Sequence, residues 1–188
     1  MILPWRNKEQ HIISLFKKGD LHAMDKLYME YADYLTGVCA RYISDEDEVK
    51  DVLQDSFIKI FTQIHQFEYR GKDSLKAWIT KVVINEALMY LRQNKTFLVP
   101  IQESDIVDCL DEEPEMENLG ADILFSFIQK LPPGYRAVFN LFVIEEKSHK
   151  EIAEILQIQP ATSASQFLRA RKLLAEMIRE YKHQMENR

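Results

Sequence analysis

Between Pro160 and Lys172 the sequence offers Thr162, Ser163, Ser165 and Gln166, then Arg169, Arg171 and Lys172, with no acidic residue among them. Hydroxyl and amide groups can hydrogen-bond base edges or phosphate oxygens, and cations neutralise phosphates. This is the chemistry of recognition. A second cluster runs from Tyr69 to Lys95. It holds Arg70, Lys72, Lys76, Lys81, Arg92 and Lys95 against only Asp73 and Glu86, with Phe67, Tyr69, Trp78 and Tyr90 interleaved. Cations that track a backbone, with rings as stacking surfaces, suit single-stranded nucleic acid. A third stretch has the opposite sign: Asp45 to Asp55 carries six acids and one lysine, Lys50. It reads either as a solvated helix face or as a docking surface for a basic partner.

Bond-making chemistry has no comparable signature. His11, His22, His65, His149 and His183 are scattered, and there is no glycine-rich phosphate loop and no HExxH or CxxC spacing. Cys39 and Cys109 lie far apart in no metal-type pattern, and two isolated thiols suit a reducing cytoplasm. The carboxylates fall at a helix start and in an acidic stretch. No catalytic residue, metal ligand set or cofactor is therefore expected.

The elements that must position these clusters are helical. With only 5 Gly and 6 Pro in 188 residues, turn signals are sparse, and Leu, Ile, Glu, Lys, Ala and Gln abound. Asn7–Lys18 reads as a helix with Ile12, Ile13 and Phe16 on one side, ended by Gly19. Asp20 caps a long helix whose stripe is Leu21, Met24, Leu27, Tyr31, Leu35, Val38 and Tyr42. Ser44 is expected to begin the acidic helix, with Val49, Leu53, Phe57, Ile60, Phe61 and Ile64 facing inward. Ser74 caps a fourth helix to about Arg92. Residues 94–118 lack a steady period and read as a linker. Helices then follow at Leu119–Lys130, Tyr135–Glu145, Lys150–Leu156 and Pro160–Lys182, with a capping box at Ser148 and Glu151. The last pair, with small Ala153 between Ile152 and Leu156, has the layout of a helix–turn–helix, although Gln157 stands where its turn usually has Gly.

The expected fold is all-α: two small helical domains, residues 1–95 and 119–188, joined by an acidic linker over 96–118, the second domain a helix–turn–helix. The net charge of −6 misleads as a sum. Residues 103–122 hold nine acids and no base, whereas residues 123–188 hold ten bases and seven acids, so the negative excess is local. No apolar run approaches the ~18 residues of a membrane span, and the first ten residues lack a secretory pattern. A protein without membrane insertion, working in the cytoplasm, is expected.

The ordered motifs resemble the extracytoplasmic-function group of bacterial RNA polymerase sigma factors. They are Leu27-Tyr-Met-Glu-Tyr-Ala32; Asp47-Glu-Val-Lys-Asp-Val-Leu-Gln-Asp-Ser-Phe57; Tyr69-Arg-Gly-Lys-Asp-Ser-Leu-Lys-Ala-Trp-Ile79 continuing to Asn85; Leu131-Pro-Pro; and the helix–turn–helix. The resemblance implies that Asp51, Gln54, Asp55 and Phe57 dock on the clamp of core RNA polymerase. It implies that Tyr69, Arg70, Lys72, Asp73 and Ser74, with Trp78, Lys81 and Asn85, read the melted minus-ten element and hold a flipped base. Thr162, Ala164, Ser165, Leu168, Arg169 and Arg171 line up with contacts to the duplex minus-thirty-five element. Ala164 departs from the pattern, where Lys or Arg is common, and Ala161 replaces a frequent Gly. The linker would lie in polymerase channels that otherwise hold nucleic acid, and an anti-sigma protein is a further implied partner. A conventional helix–turn–helix regulator with a helical sensing or dimerising domain explains the C-terminal half equally well. It leaves residues 69–95 and the acidic helix without a task.

Overall fold

The computed structural model describes residues 8–94 and 119–186, and the expected linker over 96–118, with Cys109, lies outside the described residues. The described chain is helical: α1 (Lys8–Lys17), α2 (Ala23–Ala40), α3 (Glu46–Gln63) with a single 3-10 turn at Ile64–Gln66, α4 (Ser74–Gln93), α5 (Ala121–Lys130), α6 (Pro133–Val143), α7 (His149–Leu156) and α8 (Pro160–Glu186). It divides into two units, residues 8–40 with 45–87, and residues 41–44 with 88–94 and 119–186. The division of contacts falls within α4, between Ala87 and Leu88.

In the first unit, Gly19 at φ +67 closes α1. The Gly19 N–H donates to the Phe16 carbonyl and the Asp20 N–H to that of Leu15, the paired bonds of a left-handed helix stop. Asp20 accepts from the His22 N–H at 2.9 Å. The helix it introduces begins only at Ala23, which corrects the expected stripe. Leu21 precedes the helix and is 91% exposed, and Met24 is also exposed. Ala23, Leu27, Tyr31, Leu35 and Val38 form the buried face instead, each three or four residues from the next. Cys39 is sealed beside them, and burial pushes its thiol up to about 12.

The acidic helix α3 is capped by Asp45 and not Ser44: the Asp45 carboxylate accepts from the N–H groups of Asp47 and Glu48 at 3.0 and 3.1 Å. An aspartate at that place also complements the helix dipole. Val49, Val52, Leu53, Phe57 and Ile60 point inward. Across the layer, Lys59 of α3 meets the largely buried Glu86 of α4 at 2.6 Å.

In the second unit, Phe127 and Ile128 of α5, Leu131, Tyr135 and Phe139 of α6, and Ala170, Leu174 and Ile178 of α8 make one core cluster. Pro133 opens α6, where its missing N–H costs nothing. The capping box of α7 forms as read. Ser148 accepts the Glu151 N–H, and Glu151 Oε2 accepts the Ser148 N–H at 2.8 Å. Accepting these bonds holds the Glu151 carboxyl below its ordinary value. Gln157 takes the left-handed conformation at φ 56 that glycine would adopt without cost. Pro160 then starts α8.

Candidate nucleic-acid interfaces

The first interface is a loop and the helix it feeds. Two left-handed residues, Gly71 at φ +127 and Asp73 at φ +65, turn the chain sharply into α4. Ser74 ties the turn: its hydroxyl donates to the Gly71 carbonyl at 2.7 Å and accepts the Arg70 N–H at 3.3 Å. Both bonds are local. Phe67 and Trp78 pack at 5.3 Å between ring centres. Beside them opens a recess of about 380 Å³ lined by Gln66, Phe67, Glu68, Arg70, Ser74 and Trp78.

Trp78, Lys81 and Asn85 fall at helical spacings of three and four, so they share one face of α4. Lys81 and Asn85 on it are exposed, as are Lys72 and Asp73 in the loop, and Trp78 and Tyr69 are half-buried. Arg70 lies 3.6 Å from Glu68, both in solvent, where such a pair holds little. Lys76 covers the Tyr34 ring at 4.1 Å, and the Tyr34 hydroxyl meets Thr80 Oγ1 at 3.1 Å, so part of the basic cluster fastens α2 to α4. The recess residues missed from sequence are Gln66 and Glu68. Their only signal was adjacency to Phe67.

On α3, Asp51, Gln54 and Asp55 are exposed along one face. Phe57 is not with them: it is 6% exposed, with Tyr28 at 5.0 Å and Phe61 at 5.8 Å. The expectation of a docking phenylalanine is corrected to a core residue. One residue is 100° of helix, and the apolar side chain on the outward face is Ile58, 54% exposed.

The second interface is α7, its turn and α8. Three expected contacts are corrected. Ser163 is fully buried, and its hydroxyl shares a hydrogen bond of 3.0 Å with His149 Nδ1. The His149 ring is stacked 4.7 Å from Phe142 and lies 5.9 Å from Phe167. Gln166 is buried against Gly134, where a Cβ would sit 3.3 Å from the amide nitrogen. Arg169 is buried and donates from Nη1 to the Tyr135 hydroxyl at 3.3 Å. These polar groups hold α8 to the domain. The outward face is Ala161, Ser165, Leu168 and Lys172, at helical spacing, flanked by half-buried Thr162, Ala164 and Arg171. Ser165 lends its hydroxyl to the Ala161 carbonyl at 3.0 Å.

Among the described residues no group of His, Cys, Asp and Glu could hold a metal ion, and no helix is long and apolar enough to cross a membrane.

Comparison with known proteins adds to this geometry. Residues 27–97 match Sigma-70 region 2 and residues 122–174 match Sigma-70 region 4. The chain is 30% identical over 182 residues to the ECF RNA polymerase sigma-E factor of Haemophilus influenzae, covering 90% of this chain and 95% of that one. It is 28% identical over 191 residues to the RNA polymerase sigma-H factor of Pseudomonas aeruginosa, covering 93% and 98%. Among solved structures, the sigma factor RpoE in complex with the anti-sigma factor NepR from Bartonella quintana aligns at 21% identity and a TM-score of 0.45, over 85% of this chain and 98% of that one.

Proposed function

We propose a division of labour that starts from one premise: the chain belongs to the extracytoplasmic-function group of RNA polymerase sigma factors. It binds core RNA polymerase and directs promoter recognition and the start of transcription. The recess beside Trp78 takes one unstacked base of the melted minus-ten strand, while Lys72, Lys81 and Asn85 follow the strand. The outward face of α8, with Thr162, Ser165, Leu168, Arg171 and Lys172, lies in the major groove of the duplex minus-thirty-five element. The acidic face of α3, with Asp51, Gln54, Asp55 and Ile58, docks on a basic surface of the polymerase. Phosphodiester chemistry belongs to the polymerase, so this chain is a binding factor of the cytoplasm and not an enzyme. An anti-sigma protein is a further partner by family.

The observation that carries this reading is the aromatic-walled recess flanked by cations, set inside the segment that matches region 2. Its energetics are plausible in scale. Opening a duplex costs about 1.4 kcal/mol per base-pair step, and stacking returns roughly 1–3 kcal/mol per captured base. A few captured bases hold a bubble only when the polymerase pins the factor in place. The test is run-off transcription: purified chain, core polymerase and promoter fragments, with transcript starts mapped. Defined starts that require the chain are expected, together with weak promoter binding by the chain alone. Tight duplex binding without core polymerase and no initiation with it would identify a conventional regulator instead.

A further inference from the structure

The first helix carries a carboxylate where its apolar stripe should continue. Glu9 lies one turn before Ile12 and Ile13 on the same face and is 3% exposed. A buried carboxylate is costly unless it is hydrogen-bonded, and the bonds here come from two other helices. Glu9 Oε1 accepts the backbone N–H of Lys76 at 3.0 Å, across 67 residues of sequence. The Tyr31 hydroxyl of α2 bonds the same side chain. Burial, and then the Glu9, Glu30 and Asp73 carboxylates, hold the Tyr31 phenol well above its ordinary range, so it remains a proton donor.

Lys76 is the third residue of α4. Its N–H is one of the first four of the helix, which have no acceptor within it. That acceptor ordinarily comes from the side chain of the residue before the helix, held in an extended backbone. Here that residue, Asp73, stands at φ +65 with its side chain exposed, and Ser74 directs its hydroxyl to Gly71. Glu9 fills the missing place and brings a negative charge to the positive end of the helix. The exposed pair Lys8–Glu30, at 2.9 Å, lies beside it and ties α1 to α2. The first two turns of α4 also wall the recess, through Ser74 and Trp78, and Lys76 sits between those two residues.

We propose that Glu9 is a positioning residue for strand capture: a cap delivered from α1 that fixes the opening turn of α4, and with it the Ser74–Trp78 wall of the recess. The inference rests on the reading of that recess as a base site. It concerns a helix that lies ahead of the segment matched to region 2, which begins at residue 27.

The experiment pairs two readouts. One is hydrogen exchange of the Lys76 amide in the full chain, followed by NMR. The other is binding of the holoenzyme to a fork-junction DNA whose single-stranded minus-ten sequence comes from a mapped start site. Glu9→Ala is expected to speed Lys76 exchange and weaken fork-junction binding by ~5-fold each, the scale of a lost helix cap, with affinity for core polymerase unchanged. Glu9→Gln keeps an acceptor oxygen and is expected to restore most of both. Trp78→Ala is the reference: it removes the wall directly and must weaken binding. Unchanged Lys76 exchange in Glu9→Ala overturns the proposal, as does faster exchange with binding unchanged while Trp78→Ala loses it. If Trp78→Ala itself leaves binding intact, the reading of the recess fails and the proposal falls with it. Should Glu9→Ala not fold, Tyr31→Phe carries the test with a ~2-fold change in the same direction, and no change in either readout is then decisive against it.

Discussion

The recess beside Trp78 and the helix–turn–helix are held by contacts of different reach. In the first unit the decisive bonds span the chain: Glu9 to Lys76 over 67 residues and Tyr34 to Thr80 over 46. At the helix–turn–helix itself they are shorter, with Ser148 and Glu151 three residues apart, His149 and Ser163 fourteen, and Tyr135 and Arg169 thirty-four; the long bonds of the second unit, Arg136 to Tyr42 over 94 residues and Asn140 to Arg41 over 99, lie at α6. Long-range contacts require chain closure before they contribute anything, whereas local ones form with the element itself. The surface proposed to read duplex is therefore held by bonds among α6, α7 and α8. The surface proposed to read a melted strand depends on residues remote from it.

The strongest test of this contrast is Trp78→Ala. It removes the ring proposed to stack on a captured base, a contact worth roughly 1–3 kcal/mol, and should cut fork-junction binding by the holoenzyme about tenfold or more. Binding to a duplex bearing only the upstream element should be unchanged, and loss of both together would dissolve the contrast. His149→Ala addresses the other side. It deletes the bond to Ser163 and one ring of the Phe142–His149–Phe167 stack, so thermal stability of the second unit should fall by about 1–2 kcal/mol. Upstream-element affinity should drop with it while fork-junction capture by a pre-melted strand persists. Ser148→Ala is expected to be milder, about 1 kcal/mol from the lost cap, seen as faster amide exchange confined to α7. The smallest effect is in pH. The Glu151 carboxyl is held below its ordinary 4.5, so its capping contribution is complete above pH ~4.5 and is lost as pH falls through the lowered folded value. Glu151→Gln should flatten that acid limb in the melting curve of α7, and an unaltered limb would remove Glu151 from the account.

What the sequence allows to be read follows the same line. Local chemistry was legible. The Ser148 capping box, the Gly19 stop and the Pro160 start all stand in the structure, because each depends on residues within one turn of its site. Helix phase was legible in α3, where the period sets Phe57 inward as the structure has it, against the docking role that the resemblance implied. Helix starts were less legible: α2 begins only at Ala23, which leaves Leu21 off the core. Polar type misled most in α8, where Ser163, Gln166 and Arg169 look like ligands for DNA in the one-dimensional pattern. Their partners His149, Gly134 and Tyr135 come from α6 and α7, and no spacing rule within α8 reveals them. Glu9 did leave a signal, an acid in phase with Ile12 and Ile13, but its meaning lay at Lys76.

That bond also bears on how a working fragment of this protein should be delimited. The match to Sigma-70 region 2 opens at residue 27, whereas the hydrogen-bonded framework of the first unit already includes α1. A fragment cut at the start of that match would retain every side chain on the proposed strand-binding face and still open α4 on an N–H facing water in place of a carboxylate. The edge of the region 2 match and the edge of the framework that holds the first unit together are separated by one helix.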